Sequence, residues 1–220
     1  MDNRTELLEV ALFPIPNAVA FPGTVLPLHV FEPRYRRLVE ECMEAERLLG
    51  VSHTAHTIHE PRATDTVEEA LRTNQATYAP QEVFTAGHCE LLETLDDGRM
   101  LIEVHMAHRV VLEQELQSLP YRIVTCRELA DEPIGDEAAA RKQQESVHAL
   151  LTTLVRSQNP DKPEATKVLE DPAWDAMSPA EYSFRIFQLL RIDGDVMQEI
   201  LEMTRPEARL GMLHRLFART

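Results

Sequence analysis

The chain has 220 residues, a formal net charge of −15, 44% hydrophobic and 27% charged side chains. That is globular composition, long enough to bury a core without disulfide staples. No run reaches the roughly 18 apolar residues of a membrane span, and the negative field disfavours a phosphate backbone as partner. The acidic start MDNRTELLEV has no apolar signal core, so a cytoplasmic protein is expected. Three cysteines, Cys42, Cys89 and Cys126, without CxxC spacing, fit a reducing compartment better than a disulfide framework.

Short alternating runs fill the first part of the chain. LLEVALFPIP predicts an edge strand stopped by Pro14 and Pro16. FPG predicts a turn with Gly23 at positive φ, and TVLPLHV a second strand. Pro33 suits the first position of a helix. Tyr35, Leu38, Val39, Cys42 and Met43 then recur at helical spacing, with Gly50 as the expected stop. LLGVSHT predicts a further strand. Residues 55–80 are polar and irregular, a long insertion, within which Thr66 and Glu69 pattern a short capped helix. EVFTAGHCELLETL and RMLIEVHMAHRVVL flank Asp96-Asp97-Gly98, a hairpin signal, and the second run suits one bent strand or two short ones. PYRIVTCREL closes a set of six or seven strands, which with one short helix predicts a small, partly open barrel.

Past the acidic joint ADEPIGDE, helical periods take over. Val147, Leu150, Leu151, Leu154 and Val155 make one stripe; Ile186, Phe187 and Leu190 make another; Leu210, Leu213, Leu216 and Phe217 a third. Ser178-Pro179-Ala180-Glu181 is a capping box, Asp195…Gln198 a looser one, Thr204…Glu207 a full one, and Asp193-Gly194 marks a helix end. The expected class is α+β: a barrel over 1–131, then an α-helical subdomain over 132–220.

Catalytic signatures are missing from the sequence. None of the seven glycines is followed by Lys, so a phosphate-binding GxxxxGK[ST] loop does not occur, nor do GxSxG, GxGxxG or HExxH. His88 and Cys89 are adjacent in a strand-like run and would face opposite sides. His53, His56 and His59 could converge on a metal only in a compact loop or 3₁₀ turn, because a flat strand would part them. A solvated polar loop is the expected alternative, with neither metal nor cofactor. His105 and His108 meet the same objection.

Residues 12–39, LFPIPNAVAFPGTVLPLHVFEPRYRRLV, resemble the start of the Lon N-terminal domain family, the substrate-binding domain of Lon proteases, also found in stand-alone bacterial proteins. The resemblance rests on Phe13, Pro14, Phe21, Pro22, Gly23, Leu28, Phe31, Glu32, Pro33, Arg34 and Tyr35, and the FPG…LPLHVFEPRY combination is highly specific. YAPQEVFTAGHCELLETLDDGRMLIEV and PYRIVTCRELADEP resemble later blocks, and the stretch to Pro206-Glu207-Ala208-Arg209-Leu210 the helical tail. VHMAHRVVL departs from the family's pattern, as does the long 55–80 insertion, and the ATPase and serine-lysine peptidase activities of the whole protease are not expected of these 220 residues.

The resemblance implies a PUA-like barrel followed by a helical bundle, and a non-enzymatic role in binding unfolded or tagged polypeptide, or as an adaptor. The motif residues themselves are expected to be structural, with Glu32 and Arg34 forming an ion pair or a helix cap. Met100, Met106, Met197, Met203 and Met212 are the candidate polypeptide contacts, because thioethers suit promiscuous surfaces. A nucleic-acid binder and a metal-dependent hydrolase using His53, His56 and His59 are the alternatives. The first is opposed by the charge and by the lack of a basic-aromatic stripe.

Overall fold

The computed structural model describes residues 7–59, 77–158 and 164–218. The strands are β1 (Leu8–Pro14), β2 (Val25–Val30), β3 (Leu48–Ser52), β4 (Thr54–His59), β5 (Thr77–Pro80), β6 (Val83–Thr94), β7 (Met100–Gln117) and β8 (Arg122–Glu128). The helices are α1 (Pro33–Glu44), α2 (Glu137–Gln158), α3 (Glu164–Lys167), α4 (Ala173–Ala176), α5 (Pro179–Arg185), α6 (Gly194–Glu202) and α7 (Pro206–Phe217). The expected capped helix around Thr66–Leu71 lies outside the described residues.

The main sheet runs β2-β7-β6-β3-β1-β8, and β7 also pairs with β8, which closes a ring of five with β2 appended to β7. One strand can serve three neighbours because β7 is 18 residues long and its register shifts against both β6 and β8. Such irregularities bend a strand and let a sheet curl. The run read as one bent strand or two short ones is therefore a single bent strand. The polar 55–80 stretch supplies two strands of its own at its ends, the β4–β5 sheet.

β1 is not the edge strand its prolines suggested. It lies between β3, parallel, and β8, antiparallel. Its successive residues enter two cores: Val10 and Leu12 pack with Phe84, Val110 and Val124, whereas Ala11 packs with the buried face of α1. Pro14 is its last residue and Pro16 lies beyond it, so neither breaks the ladder. The real edge is β2, whose strand partner among the described residues is β7.

Helix α1 stops earlier than Gly50. Ala45 is its C-cap and Glu46 takes φ 51°, turning the chain into β3. Gly50 lies within β3, where a Cβ would come 2.6 Å from Phe84 Cε2 and 2.7 Å from Val10 Cγ1. The glycine serves close packing there, not helix termination.

By their internal contacts the residues form two compact units, one of 1–129 with Phe187–Leu201, the other of Ala130–Ile186 with 202–220. Residues 187–201, read from sequence as part of the helical tail, thus belong with the strands. Phe187 stacks on Phe21 at 4.0 Å between ring centroids. Gln198 Nε2 donates to Val83 O at 2.9 Å, and the buried Arg109 donates to Leu129 O and Leu201 O, each at 3.0 Å. Leu201 is near the C-terminus of α6, where carbonyls lack intrahelical donors and favour a cation. The amphipathic face of α6 demanded burial; sequence could not say against what.

In the other unit, α2 packs along α7 and α5. Ser178 Oγ accepts from Glu181 N at 3.2 Å, as its capping box predicted. The other two boxes work differently. Asp193, not Asp195, opens α6, its Oδ1 accepting from the amides of Asp195 and Val196. Asp193-Gly194 therefore begins a helix where sequence suggested an end. Thr204 donates to Glu132 Oε1 at 2.6 Å and Glu207 Oε1 accepts from Gly135 N at 3.1 Å, so this pair ties α7 to the 132–135 segment.

Candidate binding groove

The FPG turn is held by β7. Gly23 takes φ 79°, its N–H donates to Met106 O at 2.7 Å, and Met106 N donates back to Thr24 O at 2.9 Å. Thr24 Oγ1 donates to Phe21 O, and Thr85 Oγ1 to Ala20 O, both at 2.7 Å. The turn is thus pinned from two strands, with Phe21 buried and Pro22 half-buried. These residues position β2 and the loop before it.

Beyond β2, Pro33 begins α1 and Glu32 occupies its N-cap, but the Glu32 carboxylate goes to Arg34 instead of the helix amides. The guanidinium meets Glu32 Oε2 at 3.0 Å through Nε and 2.9 Å through Nη2. It also lies 4.5 Å from the Tyr35 ring centroid, and Tyr35 stacks on Phe13 at 3.8 Å. Of the two roles open to Glu32 and Arg34, the ion pair is the one adopted. Burial, partly opposed by Arg34, pushes the Tyr35 hydroxyl up to about 12, so it is a neutral phenol at ordinary pH.

These residues wall an open, mainly apolar depression of about 330 Å³, lined by Phe13, Pro14, Ile15, Leu28, His29, Phe31, Glu32, Arg34, Tyr35 and Tyr78. Phe31 is 38% exposed within it. A second depression of about 330 Å³ shares Ile15, Pro16 and Leu28 and continues past Val25–Pro27 to Phe187, Arg191, Ile192 and Met197. Both include residues of β2, the edge strand, and the shared residues make them neighbours along it. Tyr78 and His29 escaped the sequence reading; the only local hint for Tyr78 was a lone aromatic in a polar stretch, and β5 brings it to the motif.

His53 and His56 do not converge. His53 is buried; its Nδ1 accepts from Asn17 N at 3.0 Å, and its Nε2 lies 3.2 Å from Asp195 Oδ1. Because an N–H already points at Nδ1, the ring proton belongs on Nε2, facing the carboxylate. His56 is exposed on β4, and the side chain of His59 lies outside the described residues. No cluster of three or more His, Cys, Asp or Glu suited to a metal occurs among the described residues. Excess zinc is expected to leave the melting temperature unchanged in a thermal shift assay; a rise saturating at stoichiometric zinc would contradict this.

The five methionines separate. Met100 and Met106 are core, packed with α1, at 4% and 2% exposure. They cannot touch a ligand without rearrangement, because alternation on β7 turns them inward. Met197 is nearly buried but lines the groove, whereas Met203 and Met212 are half-buried in the other unit. His88 is exposed and Cys89 faces the core, as adjacent strand residues must.

A closed mixed sheet with an appended edge strand and a helical tail is an α+β fold of the Lon N-terminal type. The crystal structure of a Lon N-terminal domain protein from Xanthomonas campestris matches with a TM-score of 0.55 at 21% identity, covering 96% of this chain and 97% of that one. The N-terminal domain of Mycobacterium avium complex Lon protease matches with a TM-score of 0.65 at 14% identity, covering 96% and 98%. In sequence, Lon protease 1 of Herpetosiphon aurantiacus is 23% identical over 149 residues, which is 66% of this chain and 16% of that protein. The family model of the ATP-dependent protease La (LON) substrate-binding domain matches residues 9–219, and the chain belongs to that family. The family supports a substrate-binding role. Among the described residues no helix is long and apolar enough to cross a membrane.

Proposed function

We propose that the chain binds segments of other polypeptides in the groove beside β2, without chemistry of its own, and serves as a polypeptide-binding or adaptor protein. The observation that carries this reading is Phe31, a large aromatic 38% exposed inside an apolar groove walled by the family's own motif residues. An exposed aromatic set among apolar neighbours is the composition of an interaction site. The edge position of β2 adds backbone donors and acceptors for an extended segment, although Pro27 removes one donor. The net charge of −15 favours basic clients and salt-dependent association.

Fluorescence anisotropy with labelled unfolded peptides tests this. Basic-apolar peptides should bind better than acidic-apolar ones at low salt, and the difference should shrink at high salt. Phe31→Ser should weaken binding about tenfold and, because the side chain is only 38% exposed, cost about 1–2 kcal/mol of unfolding free energy, so binding is compared under conditions where circular dichroism shows both proteins folded. Leu116→Ser, at an exposed leucine on β7 that does not line the groove, should bind as the parent does. If no peptide binds at high micromolar concentration, or Phe31→Ser binds unchanged, the reading fails.

A further inference from the structure

Two of the three free cysteines meet across elements. Cys42 projects from the buried face of α1 and is 2% exposed, while Cys89 on β6 is half-buried against the same apolar cluster. Helix α1 packs against β6 and both side chains lie in one apolar cluster, where each thiol is the neighbour that most influences the other. Cys126 sits fully buried in the other core cluster, with Phe84 and Val124. Neither sulfur of the pair is used by the groove, and a thiol–thiol contact contributes little to packing that two small apolar groups would not.

The pair is asymmetric. The interaction with the Cys89 sulfur, reinforced by burial, holds the proton firmly on Cys42. That same interaction lowers the Cys89 thiol. Cys89 is thus the sulfur that ionises first, and it is also the more exposed of the two. The thiolate is the nucleophile and the form that oxidants attack, so accessibility and ionisation select the same residue.

We propose that Cys42 and Cys89 are a thiol pair that closes to a reversible disulfide when the protein meets hydrogen peroxide, tying α1 to β6. The Cys89 thiolate attacks one peroxide oxygen; the O–O bond breaks, hydroxide leaves and takes up a proton as water, and Cys89 becomes a sulfenic acid. Cys42 then loses its proton and its sulfur attacks that of Cys89. The S–S bond forms, the S–O bond breaks, and the departing hydroxide takes the Cys42 proton as a second water. Two thiols lose two electrons and the peroxide gains them. A dithiol reductant reverses the bond by exchange. The cross-link would fix α1, whose first turn supplies Arg34 and Tyr35 to the groove, but its formation does not depend on what the groove binds.

Peptide mapping of the full chain decides the matter. The protein is treated with hydrogen peroxide, denatured, alkylated, digested and analysed by mass spectrometry. The expected result is one cross-linked species joining the Cys42 and Cys89 peptides, Cys126 still alkylated, and both thiols recovered after dithiothreitol. In Cys42→Ala, Cys89 should accumulate as a dimedone-reactive sulfenic acid; in Cys89→Ala, Cys42 should stay reduced. The proposal is overturned if Cys42 remains alkylatable while Cys89 is over-oxidised or joined to a second chain, if both stay reduced, or if Cys126 is consumed equally. The map of the unsubstituted chain alone discriminates these results, so a variant that folds poorly does not leave the question open.

Discussion

Gly87→Ala should cost about 4 kcal/mol of stability or prevent recovery of folded protein. A Cβ at Gly87 would stand 1.9 Å from the carbonyl oxygen of His105, 2.6 Å from its carbon and 3.0 Å from Met106 Cα. All three are backbone atoms, so no side-chain rotation relieves the overlap; β6 and β7 must separate. They would separate where the register between them shifts and where Met106 holds the FPG turn through both its amide and its carbonyl. The damage should therefore reach the turn and the groove behind it. Gly50→Ala is a graded comparison, because the atoms it meets belong to the side chains of Phe84 and Val10; overpacking of that kind costs about 1–3 kcal/mol. Gly135→Ala, with nothing within 4 Å of the new Cβ, should be close to neutral. Urea unfolding followed by far-ultraviolet circular dichroism measures all three, and a Gly87→Ala protein within about 1 kcal/mol of the parent would refute the argument.

Asp131→Ala should destabilise the helical unit by about 3 kcal/mol or more, since removing one partner strands a buried charge. Arg209 on α7 is fully buried. Its Nη1 and Nη2 meet the Asp131 carboxylate at 2.6 and 2.5 Å, Nε donates to Ser183 Oγ at 2.8 Å, and Nη1 donates to Met203 O at 2.8 Å. The guanidinium also lies 3.9 Å from the Phe184 ring centroid. Without Asp131 the hydroxyl and the carbonyl remain, but neither neutralises the charge. The Asp131 side chain is 24% exposed, so entering water softens the loss and places it at the lower end of the buried-pair range. Replacing both partners, as Asp131→Leu with Arg209→Met, should cost less than Asp131→Ala alone, because no charge is left unpaired. Trp174, the single tryptophan, lies in the same unit with its Nε1–H on Val168 O, so its fluorescence during urea unfolding reports this loss directly. Equal stability of Asp131→Ala and the parent would show that the pair contributes little.

What could be read along the chain is what neighbouring residues impose on one another. Pro33 at the first helical position, Ser178 capping α5, Gly23 at positive φ and Gly98 in the β6–β7 turn each satisfy a requirement within a few residues. Periodicity likewise marked α1, the long β6–β7 pair and the apolar stripes of α2 and α7, because one-sided burial leaves its period in the chain. The family resemblance was legible for the same reason: its string is a succession of corners and inward-facing side chains.

Tertiary structure decided whatever depends on partners distant in sequence. VALF in β1 is apolar whether it lies at an edge or between two strands; pairing with β3 and β8 settled that it is central. The stripe on α6 required a partner, and Arg109, Gln198 and Phe187 assigned it to the strand unit. His53 could not be known as a buried bridge, since Asp195 is 142 residues away. The groove combines Phe13, Phe31 and Tyr35 from the motif with Tyr78 from the far end of the polar insertion, and Cys42 meets Cys89 only because α1 packs on β6. Periodicity reports that a face is buried, but not what buries it. That choice is made by the pairing of elements far apart in the chain, where hydrogen-bond register and close packing exclude the alternatives.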